Sequence, residues 1–113
     1  MREFESGATR DDEHGKLDFE AALSPQVLWE FAAYMEKHSH LPDGSIRSAD
    51  NWQKGFPNDV LMKSLMRHIM DIWMLHRDQH PVRPEDGKVV TWDDALGGAM
   101  FGIQALWFNH LNE

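Results

Sequence analysis

Between residues 25 and 39 the apolar positions Leu28, Phe31, Ala32 and Met35 recur at the i, i+3, i+4, i+7 spacing of one helical face. Ser24-Pro25 in front supplies an N-cap and a proline at the first helical position, where its missing N–H costs nothing. A first helix is therefore predicted over about 25–39. A second is predicted over roughly 59–77, capped by Asn58 or Asp59. There Leu61, Leu65, Met66, Ile69, Ile72 and Trp73 cover most of the circumference, and Lys63, Ser64, Arg67, His68 and Asp71 form a narrow polar stripe. Thr91, with Asp94 three residues later in capping-box style, opens a third helix over roughly 92–111. This last helix is apolar nearly all round, and three helices in one chain cannot cover it on every side. The pattern implies a partner chain.

The intervening segments read as loops. Pro42, Asp43-Gly44, Gly55 and Pro57 punctuate residues 40–57, and Pro81, Pro84 and Asp86-Gly87 punctuate 78–90. The first of these is long for so small a domain, and long loops in compact domains are usually functional or mobile. Residues 1–22 are polar, with acidic clusters at Asp11-Asp12-Glu13 and at Asp18 with Glu20, and read as an extended arm. The expected architecture is a single all-α domain over 1–113. It consists of an arm (1–22) and a core (23–113) of three main helices and long loops, the bundle being completed by oligomerisation.

Charge narrows the choice of ligand. A formal net charge of −8 and the lack of a long basic stripe argue against DNA or RNA as partner. A small nucleotide remains open, because a few Arg and Lys side chains can dominate one cleft. The chain has no cysteine, which excludes disulfides, a thiolate nucleophile and a cysteine zinc site. No stretch approaches the ~20 apolar residues of a membrane span. The cytoplasm is the expected compartment, that of the host cell if the chain is phage-encoded.

Candidate chemistry lies in three separated motifs: Ser6-Gly7-Ala8-Thr9-Arg10-Asp11 with Gly15-Lys16, Asn51-Trp52-Gln53-Lys54-Gly55, and Arg67-His68. Glycine lets backbone N–H groups approach a phosphate, Arg and Lys supply fixed positive charge, and Trp52 offers a flat face to a base. Each has a plainer reading. Ser64, Arg67, His68 and Asp71 share a helix face at spacings of three and four, which equally describes a solvated strip with an Asp71–Arg67 ion pair. Asp93 and Asp94 suit Mg²⁺ through their hard oxygens, yet acidic residues also favour any helix N-terminus. Trp52 serves as well to anchor its loop in the core. The seven histidines lack the spacing of a zinc site. Gly97, Gly98 and Gly102 each cost about 1 kcal/mol inside a helix relative to Ala, so close helix packing is expected there.

Taken in order, Ser6-Gly7-Ala8-x-Arg10-Asp11, Gly15-Lys16-x-Asp18, Leu23-Ser24-Pro25, Asn51-Trp52-x-x-Gly55, Ser64-x-x-Arg67-His68 and the acidic pair Asp93-Asp94 resemble a known family. It comprises the small phage and prophage proteins related to the N-terminal domain of dATP/dGTP diphosphohydrolase, grouped with the MazG-like all-α nucleotide pyrophosphohydrolases. The resemblance implies an oligomeric, Mg²⁺-dependent enzyme that cleaves a nucleoside triphosphate between the α and β phosphates. It further implies that Arg10, Lys16, Lys54 and Arg67 hold phosphates and that Asn51 and Trp52 face the nucleoside. Asp71, Asp93 and Asp94 would bind magnesium, with His68 and Asp71 as the catalytic pair. Two departures bear on catalysis: Ala95 and Gly102 stand where many relatives carry histidine and asparagine, and the ExxE pattern is absent. Two rival expectations follow, a protein that sequesters a nucleotide or nucleotide-derived signal without turnover, and a helical module whose third helix docks a host protein.

Overall fold

A computed structural model describes residues 2–12 and 15–113 of the chain; Glu13 of the first acidic cluster lies outside the described residues. The fold is mostly helical. After a short hairpin of β1 (Arg2–Glu3) and β2 (Thr9–Arg10) come α1 (Phe19–Ala22), α2 (Pro25–Ser39), α3 (Asn58–His76) and α4 (Trp92–Leu111). The three long helices match the apolar periodicity to within a residue or so at each end.

The caps explain where the helices begin. Ser24 Oγ accepts from the Val27 amide at 3.1 Å and starts α2. Thr91 Oγ1 accepts from the Asp94 amide at 3.1 Å and starts α4, while the Asp94 carboxylate turns to Lys37. The start of α3 departs from expectation. Pro57 occupies the cap position without a side-chain bond, its carbonyl accepting from Val60 and Leu61. Asn58 falls inside the helix, and its Oδ1 accepts instead from Asn109 Nδ2 at 2.9 Å.

The segment expected as an extended arm carries local structure of its own. Gly7, at φ 89°, lets the chain turn back so that Arg2 pairs with Arg10 and Glu3 with Thr9. Asp18 then caps α1 by accepting from the Ala21 amide at 2.9 Å. The long loop is also organised. His40 bridges to Ile46 around a turn at Gly44, and Asn51–Lys54 forms a single 3₁₀ turn.

Helix α4 is central, with both α2 and α3 packed on it. It runs antiparallel to α3, Asn109 lying over Asn58, Gly102 over Leu65 and Gly98 over His68. Against α2, Gly97 faces Tyr34 and Asp94 bonds Lys37. The buried apolar set is small: Leu61, Leu65, Val90, Ala95, Ala99 and Ala105. Among the described residues no large side chain is completely buried. No helix of the described residues is long and apolar enough to cross a membrane.

Candidate functional site

A cavity of about 210 Å³ opens where α2, the long loop, α3 and α4 meet. Its walls are Tyr34, Met35, His38 and Ser39 of α2, Arg47, Ser48, Asn51, Trp52 and Phe56 of the loop, Ser64 and His68 of α3, and Phe101 of α4. The loop is held over the helices at several points. The Arg47 amide donates to the Ser39 carbonyl at 2.7 Å, and Asn109 Nδ2 donates to the Phe56 carbonyl at 3.0 Å. Trp52 meets Phe108 edge to face with centroids 4.9 Å apart, and Phe56 meets Phe101 in the same manner at 6.0 Å. Both geometries are favoured by the aromatic quadrupole. Trp52 therefore anchors its loop, as the plainer reading expects, and also lines the cavity.

The glycines of α4 set the depth of this site. A Cβ at Gly98 would collide with the His68 imidazole, and one at Gly97 with the Tyr34 ring. Glycine at both positions lets the two rings lie against the helix backbone, which accounts for the unfavourable Gly-Gly pair within a helix. Tyr34 in turn stacks near His38, with ring centroids 4.2 Å apart.

The electrostatics are those of a partly solvated, weakly cationic pocket in which His38 and Arg47 are exposed. Burial pushes the His68 imidazole below its ordinary value of 6.5, opposed by Asp71 and reinforced by Arg67. Burial likewise lowers His38, with the charges of Lys37, Arg83 and His68 adding to it and Asp94 opposing. Both rings therefore favour the neutral form at pH 7, ready to donate and accept hydrogen bonds instead of carrying charge. Tyr34 is pushed up, by burial first and then by Asp94, so its hydroxyl keeps its proton. The fixed cation in the wall is Arg47. A second guanidinium, that of Arg83, acts on His38 from the 77–91 loop. Its Nη2 bonds Asp86 at 2.8 Å, and its buried Nε has no hydrogen-bond partner among the described residues.

Tyr34 is also a wall of a wider cleft of about 450 Å³ between α2 and the start of α4. Its rim carries Glu30, Lys37, Asp93 and Asp94 around an apolar floor that includes Phe31 and Leu96. Lys37 Nζ lies 3.0 Å from Asp94 Oδ1. Burial opposes ionisation of Asp94, but this bond and charge, with the Thr91 hydroxyl, outweigh it and hold the carboxyl below its ordinary range.

The structure thus brings together Asn51, Trp52 and His68 in one cavity, and Asp93 with Asp94 in the neighbouring cleft. Arg10, Lys16, Lys54 and Arg67 are exposed and line neither. Asp71, half-buried on α3, lines neither as well, and among the described ion pairs there is none between Asp71 and Arg67. No group of three or more His, Asp or Glu among the described residues is placed to hold a metal ion. Magnesium commonly needs only one or two carboxylates when substrate phosphates complete its shell, and Asp93 with Asp94 would fit that number. Sequence reasoning did not single out Tyr34, Arg47 or Arg83. The Gly97-Gly98 pair was the available signal for a ring pressed on the helix, but nothing in the sequence said which ring.

No family model matches the chain, and neither does any curated protein or solved structure.

Proposed function

We propose that the protein binds a purine-type nucleotide, with the base and sugar in the cavity between α2, the long loop and α3. The observation that carries this reading is the convergence of the Asn51-Trp52 pair of the loop and His68 of α3 on one aromatic-walled pocket that also holds Arg47. Trp52, Phe56 and Tyr34 supply flat faces for a base. Neutral His38 and His68, Asn51 and the serines supply paired donors and acceptors for its edge. At about 210 Å³ the cavity is smaller than the ~300–1,000 Å³ of whole-ligand pockets. The phosphates therefore extend out of it, past Arg47.

A second reading is hydrolysis of a deoxynucleoside triphosphate to monophosphate and pyrophosphate. It is favoured by the position of Asp93 and Asp94 in the adjoining cleft, across the shared Tyr34 wall. In this reading the two aspartates hold Mg²⁺, which would supply charge neutralisation at the phosphates. Incubating the purified protein with canonical and modified nucleotides, with and without Mg²⁺, and reading products and bound ligand by mass spectrometry separates the two. Retention of an intact nucleotide supports a sequestering protein, and repeated release of monophosphate and pyrophosphate supports the enzyme. Neither retention nor release with any nucleotide would end the nucleotide reading.

A further inference from the structure

The cleft of about 450 Å³ between α2 and the start of α4 shares only its Tyr34 wall with the nucleotide cavity. The two helices run antiparallel along it. Tyr34 lies on Gly97, and one turn further along α2 Lys37 bonds Asp94, one turn back along α4. On α2 the lining reaches from Gln26 to Lys37, about 16 Å of helix. The floor is apolar, made by Val27, Phe31, Leu96 and Met100 with the Tyr34 ring beside them. Val27 and Leu96 are left half bare, at 52% and 49% exposed.

The rim carries an excess of one sign. Lys37 and Asp94 neutralise each other at one end, 3.0 Å apart. That leaves Glu30 of α2 and Asp93 of α4, both exposed and in no ion pair among the described residues. No other charged residue lines the cleft. Because the helices are antiparallel, Glu30 stands toward the Met100 end and Asp93 toward the Lys37 end. Glu30 and Lys37 are two turns apart, which puts the two free carboxylates about 10 Å from each other along the groove.

We propose that this groove docks an amphipathic helix of another protein, with its apolar face on Val27, Phe31, Leu96 and Met100 and a Lys or Arg at each end of that face, against Glu30 and Asp93. A groove between two helices is filled by a third with anchors at i, i+3, i+4 and i+7, and about three turns match its length. A separation of about 10 Å corresponds to basic residues about seven positions apart. The carboxylates select such flanks, and the net charge of −8 steers a basic partner toward the chain. The same charges turn away an anionic lipid surface or a nucleic acid. A second copy in a two-fold pair would bring the same carboxylates of both chains together. The docking does not rest on the nucleotide cavity. It does claim Asp93, which the hydrolysis reading gives to Mg²⁺, so the two are alternatives at that residue.

Fluorescence anisotropy with a labelled, Ala-based peptide of about 18 residues tests it on the full chain. The probe carries Leu at i, i+3, i+4 and i+7 and Lys at both ends of that stripe. Matched probes carry Glu in place of Lys, or Gln in place of Leu. The Lys and Leu probe is expected to bind at least about tenfold more tightly than either, and to weaken as salt rises. The double variant Glu30→Gln with Asp93→Asn is expected to lose about tenfold of that affinity. Glu85→Gln with Glu113→Gln removes the same charge elsewhere and should stay within about twofold of the wild type. All four positions are exposed, so the fold tolerates each change. No binding of the Lys and Leu probe at high micromolar concentration, equal binding of the Lys and Glu probes, or equal losses in the two double variants overturns the proposal.

Discussion

Helix α4 has two unlike sides. Toward α2 and α3 it presents Gly97, Gly98, Gly102, Ala95 and Ala105, all buried, and the neighbouring rings lie on its backbone. Away from them it presents Trp92, Ile103, Trp107 and Leu111, all exposed. Small residues mark a contact made within the chain, because only they allow a neighbour's ring against the helix. The large residues on the other side are left bare. A helix that reads as apolar all round thus carries two messages, and residue size separates them.

Adding bulk on the inner side should break that contrast most strongly. Gly98→Val drives a branched side chain into the His68 ring and is expected to destabilise the fold by about 3 kcal/mol in chemical denaturation. It should also abolish nucleotide retention by displacing His68. Next in size is Trp52→Ala, which removes the edge-to-face contact with Phe108 and one wall of the cavity. A loss of about 2 kcal/mol is expected, because Trp52 is only half-buried, together with weaker nucleotide binding by at least about tenfold.

Mild acid should act through the two histidines of the inner side. Burial lowers both His38 and His68 from 6.5, so below that pH the unfolded chain binds more protons than the folded one. Their contribution to stability is complete above 6.5 and is lost as the pH falls through their lowered values. Thermal midpoints across about pH 5–7.5 should drop on the acid side, and the drop should shrink in His38→Gln. The smallest effects sharpen the comparison. Lys37→Ala removes an ion pair whose lysine is 64% exposed and is expected to cost at most about 1 kcal/mol. Gly102→Ala should be neutral to within about 0.5 kcal/mol, a better helix former offsetting a tight but tolerable 3.3 Å approach to Leu65.

The three long helices were legible from their apolar period, and two of their starts from their caps: Ser24-Pro25 and Thr91 act as their chemistry requires. Asn58 misled as a cap because its side chain is claimed by Asn109, 51 residues away, a partner that local pattern does not contain. The site shows the same division. Asn51, Trp52 and His68 were singled out because each has a chemistry suited to a nucleotide, and the fold gathers them around one cavity. The cations did not follow, because sequence does not say which of several exposed charges, Arg47 or Arg67 and Lys54, borders a cavity. Arg47 enters the cavity only because its amide is tied to Ser39 at the end of α2, a tertiary fact.

The proposal that this cavity takes a nucleotide is tested most directly by isothermal titration of a purine deoxynucleotide into the wild-type protein, Arg47→Ala and Arg67→Ala, side by side. Loss of a charge-assisted contact predicts at least about tenfold weaker binding for Arg47→Ala, with Arg67→Ala unchanged. Equal affinities in all three, or a loss confined to Arg67→Ala, would contradict the placement of the nucleotide in this cavity.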